Sequence, residues 1–167
     1  MKRLLILASL LVMPMLYGCG YSNVVKDSVI PADRSLYVAM FTNRTYQPNV
    51  EAELRQAFVS TLVSRGGKID GELSDYTLSG EILSLSTGGT AFSGHDTVMY
   101  YTLVMTVQAT LVERKSNKVI WKGEEVIRQG YPANTDLAFM RNAHDAAVSA
   151  ACANAAKLLV ARMNQKF

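Results

Sequence analysis

The chain has 167 residues, 49% of them hydrophobic, with 17 Lys and Arg against 14 Asp and Glu and a formal charge of +3. That near balance excludes a generic nucleic-acid surface, and the length suits one compact domain with a sizeable core. Two histidines and two cysteines, scattered along the sequence, exclude a metal site with Cys/His ligand spacing.

Residues 1–18 begin Met1-Lys2-Arg3, run through Leu4, Leu5, Ile6, Leu7, Leu10, Leu11 and Val12, and end Leu16-Tyr17-Gly18. A positive start, an apolar run too short to span a bilayer and a small residue before a cysteine describe a secretory signal. Leu16 and Gly18 stand at the bacterial lipobox spacing, so Cys19 is the expected acylation site, bearing N-acyl and diacylglycerol groups and incorporating palmitate. Gly20, where an Asp would resemble an inner-membrane retention signal, favours the outer membrane. Loss of the leader, with Lys2 and Arg3, leaves 149 residues and a formal charge of +1. Cys152 then has no intramolecular partner; set among Ala150, Ala151 and Ala153, it reads as a small buried hydrophobe.

Residues 19–34 are polar and weakly patterned, a tether leading into a single domain over 35–167. "SLYVAMFT", residues 35–42, is rich in β-formers and predicts a first strand. A helix over 48–65 follows, with Pro48 at its start, Glu51 and Glu53 in its first turn, and Val50, Leu54, Phe58 and Leu62 forming one stripe that Gly66-Gly67 closes. The second strand is expected over 75–86. The third, over 97–114, alternates Met99, Tyr101, Leu103, Met105, Val107, Ala109 and Leu111 with Tyr100, Thr102, Thr106, Gln108 and Thr110, one core face and one polar face. Lys115-Ser116-Asn117 turns the chain into a fourth strand over 118–129, with Val119, Trp121 and Ile127 on the core side.

"GYPANT", residues 130–135, breaks the pattern, and Thr135 or Asp136 caps a long alanine-rich helix over 136–164. Its expected stripe is Leu137, Met140, Ala147, Ala151, Ala155, Leu158 and Leu159. The order βαβββα predicts an α+β two-layer sandwich, a four-stranded mixed sheet with both helices packed on one face. Such a sandwich leaves the Thr, Gln and Tyr face to water or a partner. No other apolar run approaches the eighteen residues of a membrane span, so the mature chain is expected to be soluble apart from its lipid.

Arranged chemistry is scarce. His95 and His144, each followed by Asp, lack the companions of a metal or catalytic site and read as solvated or capping histidines. "STGGTAFSG", residues 86–94, lacks the Gly-Lys-Ser/Thr ending of a phosphate loop and reads as a mobile connection between strands. Arg114, Lys115, Lys118 and Lys122 gather at the hairpin, either as a solvated turn or as a tip that contacts phosphorylated lipid.

Three landmarks fall in order: "CGY" from Cys19, "VAMFTNRTYQP" from Val38 with "EAEL" from Glu51, and "LVERKSNKVIW" from Leu111. In that spacing the mature chain resembles the LPS-assembly lipoprotein LptE family. The resemblance implies a non-enzymatic outer-membrane lipoprotein without cofactor or metal. Its partners would be the LptD β-barrel, which it plugs and helps assemble, and lipopolysaccharide on its way to the cell surface. A polar barrel interior would suit the Tyr100, Thr102, Thr106, Gln108 and Thr110 face. Basic residues near sheet-end loops contact lipopolysaccharide in the family. The 86–97 loop here has no Lys or Arg, leaving Arg114, Lys115, Lys118, Lys122, Arg128 and Arg141 as candidates. The alternative is a lipoprotein that activates a periplasmic enzyme or serves secretion.

Overall fold

The computed structural model describes residues 30, 31, 33–94 and 97–165. The expected leader, Cys19, most of the tether and His95 lie outside them. Eight elements follow: β1 (Ser35–Val38), β2 (Thr42–Asn43), α1 (Val50–Ser64), β3 (Lys68–Ile69), β4 (Tyr76–Phe92), β5 (Val98–Glu113), β6 (Lys118–Pro132) and α2 (Leu137–Asn164). The α+β class, the mixed sheet and the two helices agree with the sequence expectation, but the sheet has six strands rather than four.

The first expected strand is two pieces. β1 pairs in parallel with β4 as Val38↔Leu78, and β2 pairs with the same strand as Thr42↔Glu81, so the register slips by one residue between them. The slip reverses the alternation: Met40 faces out at 56% exposure, while Phe41 turns in and stacks on Phe58 with ring centroids 5.0 Å apart. Such one-residue offsets re-aim side chains at a sheet edge. β3 joins β1 in parallel through Ser35↔Lys68, and two residues are too few to leave a periodic signal.

Between them α1 buries Val50, Leu54, Phe58 and Leu62, the stripe expected from the sequence. It ends where Gly66 adopts φ 81, with Gly66 N–H donating to Val63 O and Gly67 N–H to Leu62 O, each at 2.9 Å. This paired closure satisfies two carbonyls of the last turn and needs glycine at the left-handed position.

β4, β5 and β6 form an antiparallel meander, and the full order is β3-β1-β4-β5-β6 with β2 also on β4. Two boundaries differ from expectation. Residues 86–92 continue β4 instead of forming a loose connection, and β6 runs through Gly130 to Pro132, because β5 is long enough to pair with both, as Gly88↔Thr102 and Tyr100↔Pro132.

The inward row of β5, from Leu103 to Leu111, is fully buried, whereas Met99 is 59% exposed because it lies beyond the helical layer. In β6, Trp121 and Ile127 are buried as expected and Val119 is not. Pairing passes from Leu111↔Trp121 to Val112↔Val119, leaving Ile120 unopposed to pack on the core while Val119 faces solvent.

α2 starts at Asp136, whose carboxylate accepts from Ala138 N at 2.8 Å and Phe139 N at 3.2 Å. Its buried side is broader than expected and pairs Ala147, Ala151 and Ala155 with Val148, Cys152, Ala156 and Val160, whereas Leu137 and Leu158 are exposed. Among the described residues α2 is the one helix long and apolar enough to qualify as a membrane span, against the sequence expectation; half of that window is buried in this domain. The small residues let α2 approach β6 and α1 closely, and both helices share one hydrophobic core with the inner sheet face.

Candidate functional site

The opposite face of the sheet carries no helix. Residues directly paired across strands share a face, so the rows Ser84–Thr106–Val126, Glu81–Gln108–Glu124 and Ser79–Thr110–Lys122 all lie outside. Tyr100, Thr102, Thr106, Gln108 and Thr110 stand together here, as the alternation of β5 requires, with Tyr100 42% exposed.

Hydroxyl and amide groups on this face bond one another. Ser84 Oγ donates to Thr106 Oγ1 at 3.1 Å, Thr90 and Thr102 hydroxyls lie 3.1 Å apart, and Gln108 Nε2 donates to Glu124 Oε2 at 3.4 Å. The Tyr100 ring lies over Gly130, where any Cβ would come within 2.4 Å of Tyr100 Cε1. Arg44 closes the side by pairing with Glu81 at 2.8 Å. The surface is therefore wide, uncharged along β5, flanked by charges of both signs on its neighbours, and rich in groups that donate and accept.

The six basic candidates do not form one site. Lys122, opposite Thr110, and Arg128, opposite Val104, belong to the open face. Arg114, Lys115 and Lys118 sit at the β5–β6 turn, and Arg141 is exposed on α2 in the other layer. Pairing with β4 and β6 also adds Arg44, Glu81, Ser84, Thr90 and Val126 to the open face. The cross-strand register places Glu81, Ser84 and Val126 there, and contacts with Glu81 and Thr102 place Arg44 and Thr90; the alternation of one strand supplies neither.

At the turn end, Asp75 ties three segments together. Its carboxylate accepts from Ser35 N at 3.0 Å and Arg34 Nη1 at 2.9 Å, and its carbonyl accepts from Arg114 N at 2.9 Å. The Ser35 N–H, followed by the Arg34 guanidinium, holds the Asp75 carboxyl below its ordinary range. The Arg114 guanidinium also reaches the Glu72 carbonyl. Nearby, Trp121, Lys122, Gly123, Arg162 and Gln165 line a shallow hollow. Arg162 Nε lies 2.5 Å from Glu125 Oε1, a contact of charge with charge rather than an aligned hydrogen bond.

Neither remaining nucleophile nor histidine is set for chemistry. Cys152 is fully buried, and burial, then the Glu53 charge, pushes its thiol up to about 12. His144 packs edge-on against Tyr131, with ring centroids 5.8 Å apart, instead of standing free in solvent. Among the described residues no three His, Cys, Asp or Glu side chains could hold a metal ion.

A family model, LptE (Lipopolysaccharide-assembly), matches residues 34–163. No curated protein matches the sequence. Among solved structures, the chain is similar to a protein from Xanthomonas campestris at TM-score 0.60 and 14% identity, covering 79% of this chain and 84% of that one. Rare lipoprotein B from Shewanella oneidensis gives TM-score 0.57 at 16% identity, covering 78% and 94%. The PelC dodecamer from Paraburkholderia phytofirmans gives 0.57 at 12%, covering 81% and 92%. At these identities the likenesses establish the fold alone.

Proposed function

Since the chain belongs to the LptE family of lipopolysaccharide-assembly proteins, we propose that it is an outer-membrane lipoprotein that plugs and helps assemble the LptD β-barrel and assists lipopolysaccharide on its way to the cell surface. Residues 1–18 are the leader, Cys19 is the acylated anchor, residues 19–34 are the tether and residues 35–167 form the domain that partners the barrel. What supports a barrel partner is the helix-free sheet face, where hydroxyls and amides of Ser84, Thr90, Thr102, Thr106 and Gln108 lie in rows. A barrel lumen is lined by polar side chains, so such a face meets it without burying unpaired groups. Lys122 and Arg128, which lie on that face opposite Thr110 and Val104, are the proposed contacts for lipopolysaccharide phosphates there.

Affinity purification of the full chain from detergent-solubilised outer membrane tests this reading. The expected result is a tight complex with LptD, and depletion of the chain lowers assembled barrel and surface lipopolysaccharide together. A chain that elutes without a barrel, or a depletion that changes neither, overturns the plug. Cys19→Ala is expected to abolish palmitate labelling and release a periplasmic form.

A further inference from the structure

The turn end of the sheet is also the end at which the tether enters. Leu36, Tyr76, Glu113 and Lys118 form one row across β1, β4, β5 and β6. Strands lie about 4.8 Å apart, so the β5–β6 turn is roughly 15 Å from the start of β1. Ile30 packs against the core, and Asp75 fastens Arg34, Ser35 and Arg114 to one another. The entry point is thereby fixed beside the turn.

Cys19 and Ile30 are eleven chain steps apart, with ten residues between them. As a coil they span about 17–20 Å, and fully stretched no more than about 40 Å. The sixteen residues of β5 measure roughly 54 Å, so an anchor at Cys19 can bring the turn end to a bilayer surface while the β4–β5 tip stays away from it. Arg114, Lys115 and Lys118 are all exposed there. Of the acids alongside, Asp75 is engaged by Arg34 and Ser35, Glu113 by the Ser116 hydroxyl, and Glu72, beside Arg114, by the Tyr37 hydroxyl. Among the described residues Lys115 and Lys118 form no ion pair.

We infer that Arg114, Lys115 and Lys118 dock on the anionic phospholipid head groups of the leaflet that holds the Cys19 anchor. The inference rests on the acylation reading above. Lipid anchors of a single chain bind marginally and gain from a basic patch at the same surface. On a multiply acylated chain the same patch fixes orientation, turn end down and the open face standing away from the bilayer.

The test uses the full lipoprotein reconstituted in bilayers of phosphatidylcholine with or without phosphatidylglycerol. Lysine acetylation is read by mass spectrometry, with Lys157, exposed on α2, as internal reference. With phosphatidylglycerol present, Lys115 and Lys118 are expected to react about fivefold more slowly than in the neutral bilayer, the factor one lysine's attraction to an anionic surface implies. High salt should restore the neutral rate. Equal rates in both bilayers overturn the docking, as does protection by lipopolysaccharide micelles without protection by phosphatidylglycerol. A chain that incorporates no palmitate overturns the anchor and the docking together; an anchored chain with equally reactive lysines overturns the docking alone.

Discussion

Asn43 Nδ2 donates to Glu51 Oε2 at 2.9 Å and so ties the loop after β2 to the first turn of α1. The same amide also donates to Gln47 O at 2.8 Å, and Asn43 Oδ1 accepts from Thr45 N and Thr45 Oγ1. This one side chain therefore organises a loop whose tip, Tyr46, is fully exposed. Asn43→Ala should cost about 1–2 kcal/mol, the sum expected for part-exposed hydrogen bonds, with an unchanged denaturant slope. Asn43→Asp keeps the acceptor for Thr45 but sets a carboxylate against Glu51, and should recover little. An unaltered unfolding midpoint in both variants would show that the loop is held some other way.

Gly80 is required by close approach rather than by its backbone angles. A Cβ there would stand 2.2 Å from the Gln108 carbonyl oxygen and 2.7 Å from Phe41 Cε1. The first is backbone in the middle of a ladder and cannot yield without parting β4 from β5. Gly80→Ala is expected to destabilise by about 2–3 kcal/mol or more. Chemical denaturation measures it, and a loss under about 0.5 kcal/mol would contradict the packing described.

Cys152 should be inert while the domain is folded. With the thiol pushed up to about 12 by burial, the thiolate is scarce at neutral pH and the sulfur has no path to reagent. Alkylation by iodoacetamide should follow the rate of global opening, rising with denaturant in step with the loss of circular dichroism. Labelling of the native protein at the rate of a free thiol would disprove the buried placement.

Asp75 predicts part of the acid limb of stability. Its folded-state value lies below the ordinary carboxylate value, so its contribution is present above about pH 3.9 and is lost as pH falls through the lowered value. Asp75→Asn removes that dependence, so the variant's stability should fall less steeply below about pH 4 than the parent's. Parallel pH profiles for the two proteins would rule the ion pair out as a contributor.

Much of this architecture was legible in the sequence because two periodicities carry it. The four-residue recurrence of Val50, Leu54, Phe58 and Leu62 and the alternation from Leu103 to Leu111 each match the buried set. What escaped was set by pairing between strands. Phe41 and Val119 change sides at offsets in register, and β3 is two residues long and exists only because β1 offers it an edge. The broad buried side of α2 was obscured by its alanines, since small side chains blur a stripe whose width depends on how close the sheet comes. The open face was visible for β5 alone, and grouping the basic residues by sequence proximity joined Lys122 to a turn from which the pleat separates it.

From Ser86 to Phe92 every residue of β4 is exposed, with no helix beneath either alternation. That stretch is held to β5 by ladder hydrogen bonds without a core behind them, while Leu78 and Ile82 on the same strand are sealed. Amide hydrogen exchange along β4 should therefore climb in rate from one end to the other, the sealed half reporting global unfolding and the outer half a cheaper, separate opening. A single strand would then behave as two thermodynamic units, and a protein that grips its outer half would make them one.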